Sequence, residues 1–386
     1  MNLQATMLGA LLLACAPPAR AMTAAQERVV EDGLNALYRS DFEGAEKIFF
    51  ESRAEHPGDP VYSLGCAVSA WWRLENDFVP PGGREEKEFY AALDRALADA
   101  KHEADEGSKA EGSLYLGAAY SLRGRREAAQ HKWLAAYLDG RRAYRNESKA
   151  VKLDPNLADA YLGLGAFDYY VATLSRFVRL FTFASGGDKT KGLDELKRAA
   201  EGGRFGSVAA KLVLVGIDWT FEKKPKDALV ILEELHRRYP ESPLMDAMML
   251  IGLFHLRDGE ELTKQARVFL AKAERRAPFF RPIDLPAGRY FLGLGEQLSG
   301  RYPQAIAQYE AAFTEVPPQH PWRSMLRLFI GECLDLTGRR DEAVASYRQA
   351  LAEPPLWGVP RYAKYLLKHP FQPGDNPLPA RNDDLQ

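Results

Sequence analysis

Four times in 386 residues the chain repeats one frame: a Gly, an Ala twelve residues later, a bulky apolar residue four beyond that and a Pro eight further on. The instances are Gly33/Ala45/Phe49/Pro57, Gly216/Ala228/Leu232/Pro240, Gly293/Ala305/Tyr309/Pro317 and Gly331/Ala343/Tyr347/Pro355. A fixed period of this kind constrains the fold before composition does. The Gly and Ala let two antiparallel helices approach closely, and the bulky residue fills the gap to the next pair. The Pro ends the second helix, because it lacks an amide hydrogen and clashes with the preceding turn. The expected fold is all-α: a right-handed solenoid of about eight antiparallel helix pairs, closed by a C-terminal capping helix.

This frame resembles the tetratricopeptide repeat, a helix-turn-helix unit of about 34 residues. The resemblance covers most of Gln26 to Pro355 and implies a protein–protein interaction module in which the first helix of each pair lines a concave groove. Units starting at Ala158, Ala209, Met245, Pro286 and Ser324 carry the repeat's lining positions onto mostly apolar residues. The candidate partner contacts are Leu162, Tyr169, Tyr170, Val213, Ile217, Met249, Leu253, Tyr290 and Leu294, and the final unit turns polar with Glu332 and Asp335. The stretch Gly163 to Arg204 holds Gly163-x-Gly165-x-Phe167, an apolar insert, Gly186-Gly187-Asp188 and Lys191-Gly192-Leu193-x-x-Leu196. That order also resembles the tetratricopeptide repeat protein 39 family, which implies a non-enzymatic, membrane-associated or adaptor-like role.

Along the chain, residues 26–155 read as N-terminal helical repeats that are partly degenerate, with a long loop at Asn76–Gly83. Between Pro60 and Arg204 the frame fails: Ala143, Ala150 and Pro155 keep its phase, but Gly117 falls outside the twelve-residue spacing. Residues 156–204 form a repeat interrupted by an apolar insert at 171–190. Residues 208–369 hold four regular units and the cap, and 373–386 read as a polar, Pro-rich disordered tail. Within the insert, Leu174, Phe177, Val178, Leu180, Phe181 and Phe183 share one side of a helix with Arg176 and Arg179 at its edge. An exposed apolar groove needs cover. The insert is therefore expected to fold into the groove as a lid, or alternatively to lie in a membrane interface.

Residues 1–21 read as an export signal. Met7–Ala14 is apolar but too short to span a bilayer, Pro17-Pro18 breaks it, and Ala19-Arg20-Ala21 supplies small residues at a cleavage point. Leu12-Leu13-Ala14-Cys15 resembles a bacterial lipobox, which implies lipidation at Cys15 as the alternative. The expected location is the periplasm, soluble or lipid-anchored. Cys66 and Cys333 lie near opposite ends of an array whose units contact only their neighbours, so both are expected to be buried, unpaired thiols.

Chemistry finds little purchase. The seven His are scattered, and no HExxH, Gly-x-Ser-x-Gly or P-loop spacing is present. Gly186–Gly192 has the wrong spacing for a phosphate cradle and reads as a helix start capped by Asp188 or Thr190. A formal net charge of -2 gives no reason to expect a nucleic-acid partner, and the basic runs at Arg123–Arg126 and Lys223–Lys226 read as solvated turns. The expected function is a non-catalytic scaffold without cofactor or metal, binding a protein or peptide, with membrane contact through the insert as the alternative.

Overall fold

The computed structural model describes residues 22–76, 83–173, 187–356 and 358–377. Among them are seventeen α-helices. The first eight are α1 (Ala24–Tyr38), α2 (Phe42–Glu55), α3 (Pro60–Asn76), α4 (Arg84–Glu106), α5 (Lys109–Ala129), α6 (Trp133–Leu153), α7 (Ala160–Thr173) and α8 (Lys189–Gly202). The C-terminal half holds α9 (Ser207–Ile217), α10 (Pro225–Arg238), α11 (Pro243–His255), α12 (Gly259–Glu274) and α13 (Asp284–Leu298). It ends with α14 (Tyr302–Glu315), α15 (Trp322–Leu336), α16 (Arg340–Ala352) and α17 (Val359–Leu366). Consecutive helices pack as eight pairs, and α17 covers the last one. The odd-numbered helices also touch each other, α1 on α3, α3 on α5, α5 on α7, α7 on α9 and α11 on α13, so they form the inner layer. The fold is thus a tetratricopeptide-like solenoid.

The repeated frame works as its chemistry requires. Phe49 lies against Gly33 of its own unit and Gly65 of the next, where a Cβ on either glycine would enter the ring. Tyr309 fills the same slot at Gly293, where an added Cβ would come within 2.5 Å of the ring, and Tyr347 fills it at Gly331. Gly216 differs, since a Cβ there would meet nothing within 4 Å. Opposite signs follow. Gly216→Ala is expected to stabilise the array by up to about 1 kcal/mol through helix propensity, and Gly293→Ala to destabilise it by about 1–3 kcal/mol through overpacking. Urea midpoints of the two variants moving in the same direction would overturn this reading of the frame.

The apparent failure of the frame at Gly117 is a lengthening. Gly117 stands 26 residues before Ala143 instead of twelve, an excess of fourteen. Both α5 and α6 have 21 residues, against 14 in α2 and α14. Seven extra residues per helix are close to two full turns, so each helix keeps its buried face in register. Across this extended hairpin Arg123 Nε and Nη2 donate to the Asp139 carboxylate at 2.6 and 2.8 Å. The frame's bulky slot is then occupied by Glu147, wedged between Gly117 and Gly163 and buried.

Packing is not confined to neighbouring units, as the sequence reading had it. The turn between α1 and α2 reaches the junction of α10 and α11, where Ser242 Oγ donates to the Tyr38 carbonyl at 2.7 Å and Tyr239 Oη to Asn35 Oδ1 at 2.8 Å. Tyr38, Val208, Leu235, Tyr239 and Met245 form one buried cluster there, and Arg281 lies 4.9 Å over the Phe42 ring. The array is therefore closed on itself at this point. Cys66 and Cys333 are both free thiols, but only Cys333 is buried and Cys66 is half-buried. At the other end, residues 371–377 belong to the cap, with Phe371 and Pro377 buried and Tyr362 Oη donating to the Asn376 carbonyl at 3.1 Å. The start of the expected disordered tail is thus packed. Among the described residues no helix is long and apolar enough to cross a membrane.

Candidate functional site

The inner layer carries the residues expected to meet a partner, and the structure divides them. Leu162 on α7, Val213 on α9, Met249 on α11 and Tyr290 on α13 each stand three residues before a glycine of their helix, and all four are half-buried. They form a strip of one apolar side chain per inner helix. Tyr290 stacks on Phe329 at 5.7 Å, and burial pushes its hydroxyl pKa up. Tyr169, Ile217, Leu253 and Leu294 are buried in the core instead. Ile217, Leu253 and Leu294 stand four residues beyond the strip on their helices and Tyr169 seven, and these positions turn into the core. They cannot contact a partner while the array is folded.

Glu332 and Asp335 are a second correction. Glu332 is fully buried, takes a hydrogen bond from Gln297 Nε2 at 3.0 Å and leaves Oε1 without one. Burial holds its carboxyl well above the usual range. Asp335 accepts from Tyr347 Oη at 2.8 Å, from Arg340 Nη1 at 3.0 Å and from the Phe371 amide at 2.9 Å. Both acids are internal groups, Glu332 held by α13 and Asp335 by the cap, so neither faces a partner. Leu174, Phe177, Val178, Phe181 and Phe183, read as lid or membrane insert, lie outside the described residues. So do Cys15 and the export segment. The insert's flanks are helical, because α7 continues through Thr173 and Asp188 caps α8, with Oδ1 accepting the Lys191 amide at 3.0 Å.

Sequence reasoning missed an aromatic shelf. After Ile217 the helix widens into a π-helical turn, Asp218–Glu222, which ends on Lys223 at φ 55°. Such turns shift side chains around the helix and often mark functional positions. Here Phe221 meets Tyr169 at 5.6 Å and the exposed Tyr170 at 5.7 Å, edge to face. Trp219 stacks on His255 at 5.2 Å, and burial followed by the Lys223 charge depresses the His255 pKa. Tyr169 Oη donates to Glu222, which also pairs with Lys189 at 2.8 Å. Burial first, then the neighbouring Asp227, raises Asp218 to about 6. Trp219 and Met249 pack on the same core cluster, so shelf and strip adjoin. No local pattern announces a π turn, which is why Trp219 and Phe221 were illegible beforehand. Among the described residues no group of three or more His, Cys, Asp or Glu is placed to hold a metal.

No protein-family model matches the chain, and no curated protein does. The likeness of residues 163–204 to the tetratricopeptide repeat protein 39 family therefore rests on those residues alone. Among solved structures, a Rap protein complexed with competence and sporulation factor is similar at 12% identity and TM-score 0.45, over 90% of this chain and 82% of that one. A tetratricopeptide repeat protein from Parabacteroides merdae is similar at 12% identity and TM-score 0.30, over 89% and 97%. The tetratricopeptide repeat domain of P58(IPK) gives 16% identity and TM-score 0.24, over 89% and 88%. At such scores the fold assignment stands on the helix pairing and the glycine slots themselves.

Proposed function

We propose that the protein is a non-catalytic scaffold that binds an apolar segment of a protein partner along its inner face. One observation carries this reading: Leu162, Val213, Met249 and Tyr290 sit half-buried, each with part of its side chain open to solvent, at equivalent places on four inner helices. Burying such residues on a partner removes apolar surface from water at about 25 cal/mol per Å². The adjoining shelf adds Tyr170, Phe221 and Trp219, residue types that anchor interfaces by combining large area with few rotatable bonds. We also place the protein outside the cytoplasm, on the apolar run Met7–Ala14 and the small residues Ala19 and Ala21.

A photo-crosslinking residue installed at Val213 or Met249 in cells tests both statements. Val230 on α10 and Val268 on α12, 66% and 50% exposed on even-numbered helices, are the controls. Crosslinks to a discrete partner, at least about tenfold above the controls and recovered in the periplasmic fraction, are the expected result. Equal yields at all four positions would remove the groove reading. Crosslinks confined to the cytoplasm would remove the location.

A further inference from the structure

In the two-turn extension of the α5–α6 hairpin, the first turns of α6 leave large apolar side chains open to solvent on one side. Trp133, Leu134 and Leu138 are 46%, 54% and 44% exposed, three of the nine large apolar side chains that the described part of the chain leaves open to solvent. Along the same side of the helix, Arg141, Arg145, Lys149 and Lys152 follow, all exposed. At 100° per residue Leu134, Leu138 and these four cations fall within about 80° of one another, on a single stripe roughly 27 Å long. Both acids of α6 are withdrawn from it: Asp139 is buried against Arg123 and Arg142, and Glu147 is buried between the glycines. Among the described residues Arg145, Lys149 and Lys152 have no ion pair, and Arg141 overlies the Tyr137 ring at 5.9 Å. In a chain whose net charge is -2, this is a local concentration of one sign.

We propose that this face of α6 docks on an anionic lipid surface, with Leu134 and Leu138 entering the interface, Trp133 of the first turn on the flank of the stripe at its edge, and Arg141, Arg145, Lys149 and Lys152 on the headgroups. Shape argues for a membrane over an acidic protein. The helix belongs to the outer layer of the solenoid, so its stripe is a straight ridge that meets a plane and offers no groove to a peptide. Chemistry argues the same way, because Trp and Leu beside cations is the composition of an interfacial helix. A solvated basic ridge gains nothing from three exposed apolar side chains at its end. This surface lies away from the inner strip, so the scaffold reading neither requires it nor falls with it.

Sedimentation of the full chain with vesicles tests the proposal, using neutral phosphatidylcholine alone and with about one third phosphatidylglycerol. A contribution from the N-terminal apolar run appears on both vesicle types, whereas docking through α6 appears as the anionic-specific part and weakens with salt. Each basic residue near an anionic surface contributes about 1 kcal/mol. The triple substitution Arg141→Gln, Arg145→Gln, Lys149→Gln is therefore expected to lower that part about a hundredfold. Trp133→Phe should abolish the quenching of tryptophan emission by brominated lipid. All of these side chains are exposed, so the circular dichroism of the variants should match the parent. No anionic-specific binding, or binding indifferent to the triple substitution, overturns the proposal. So does equal retention by polyglutamate or DNA without any effect of Trp133, which would mark a general polyanion contact instead.

Discussion

Exchanging Glu147 for glutamine is expected to stabilise this protein above pH 8 and to leave its stability nearly unchanged near pH 4. The carboxyl occupies the slot that Phe49, Tyr309 and Tyr347 fill elsewhere, and only 2% of it is exposed. Its single hydrogen bond comes from Ser121 Oγ at 3.4 Å, and Oε2 has none. Burial raises its pKa from 4.5 to about 8, partly opposed by Ser121 and reinforced by the Glu195 carboxylate. The folded protein thus holds this proton more tightly than the unfolded chain does. Its contribution to stability is complete below about pH 4.5 and is lost as pH rises through about 8. Each pKa unit between the two states is worth about 1.4 kcal/mol, so the gain from glutamine at high pH is on the order of 3–5 kcal/mol. Urea unfolding at pH 5 and pH 8.5 reads the effect as a steeper loss in the parent than in the variant. Parallel pH profiles would show that Glu147 is hydrated and that its slot is not closed.

The second large effect belongs to Asp335. Its side chain is 1% exposed and holds three elements together: Tyr347 and Arg340 of α16, and the Phe371 amide beyond α17. Arg340 in turn donates through Nη2 to the Leu366 and Leu367 carbonyls at 2.8 and 2.9 Å, closing the C-terminal end of α17. Arg340 keeps 31% of its side chain exposed, so removing the carboxylate costs less than the ~3–5 kcal/mol of a fully buried pair, but it also strips Tyr347 and the Phe371 amide of their acceptor. Asp335→Ala is therefore expected to release the cap before the remaining units unfold. Limited proteolysis should then cut between α16 and α17 while α9–α14 stay protected. A variant that is as resistant as the parent, with an unchanged urea midpoint, would show that the cap is held by apolar contacts of Val359, Tyr362 and Leu366 alone.

How far the sequence reached depended on the range of the interaction concerned. The eight pairs and the cap were legible because Gly, Ala, a bulky residue and Pro act within one unit: a glycine slot, a ring that fills it and a helix stop are separated by fewer than 30 residues. Pair boundaries followed within a few residues, including the α8 start at Asp188. For the candidate inner face, the sequence did not separate exposed from buried positions. Leu162, Val213, Met249 and Tyr290 share a register with Tyr169, Ile217, Leu253 and Leu294. Four residues, or seven for Tyr169, separate surface from core on the same helix, and the rotation of each pair decides which is which.

What this sequence settled alone was the unit of construction and the number of its copies, since period and helix termination are local. Only the tertiary structure decided what the copies share. It put Glu147 into a buried slot between two glycines, turned Glu332 inward onto Gln297 and Asp335 onto the cap, and joined Tyr38 to Ser242 across 204 residues. It also lengthened one hairpin by two turns per helix, and it left Trp133 and the basic stripe of α6 open to solvent. Each of these outcomes depends on contacts between residues far apart in the chain, and such contacts exist only once the units have stacked.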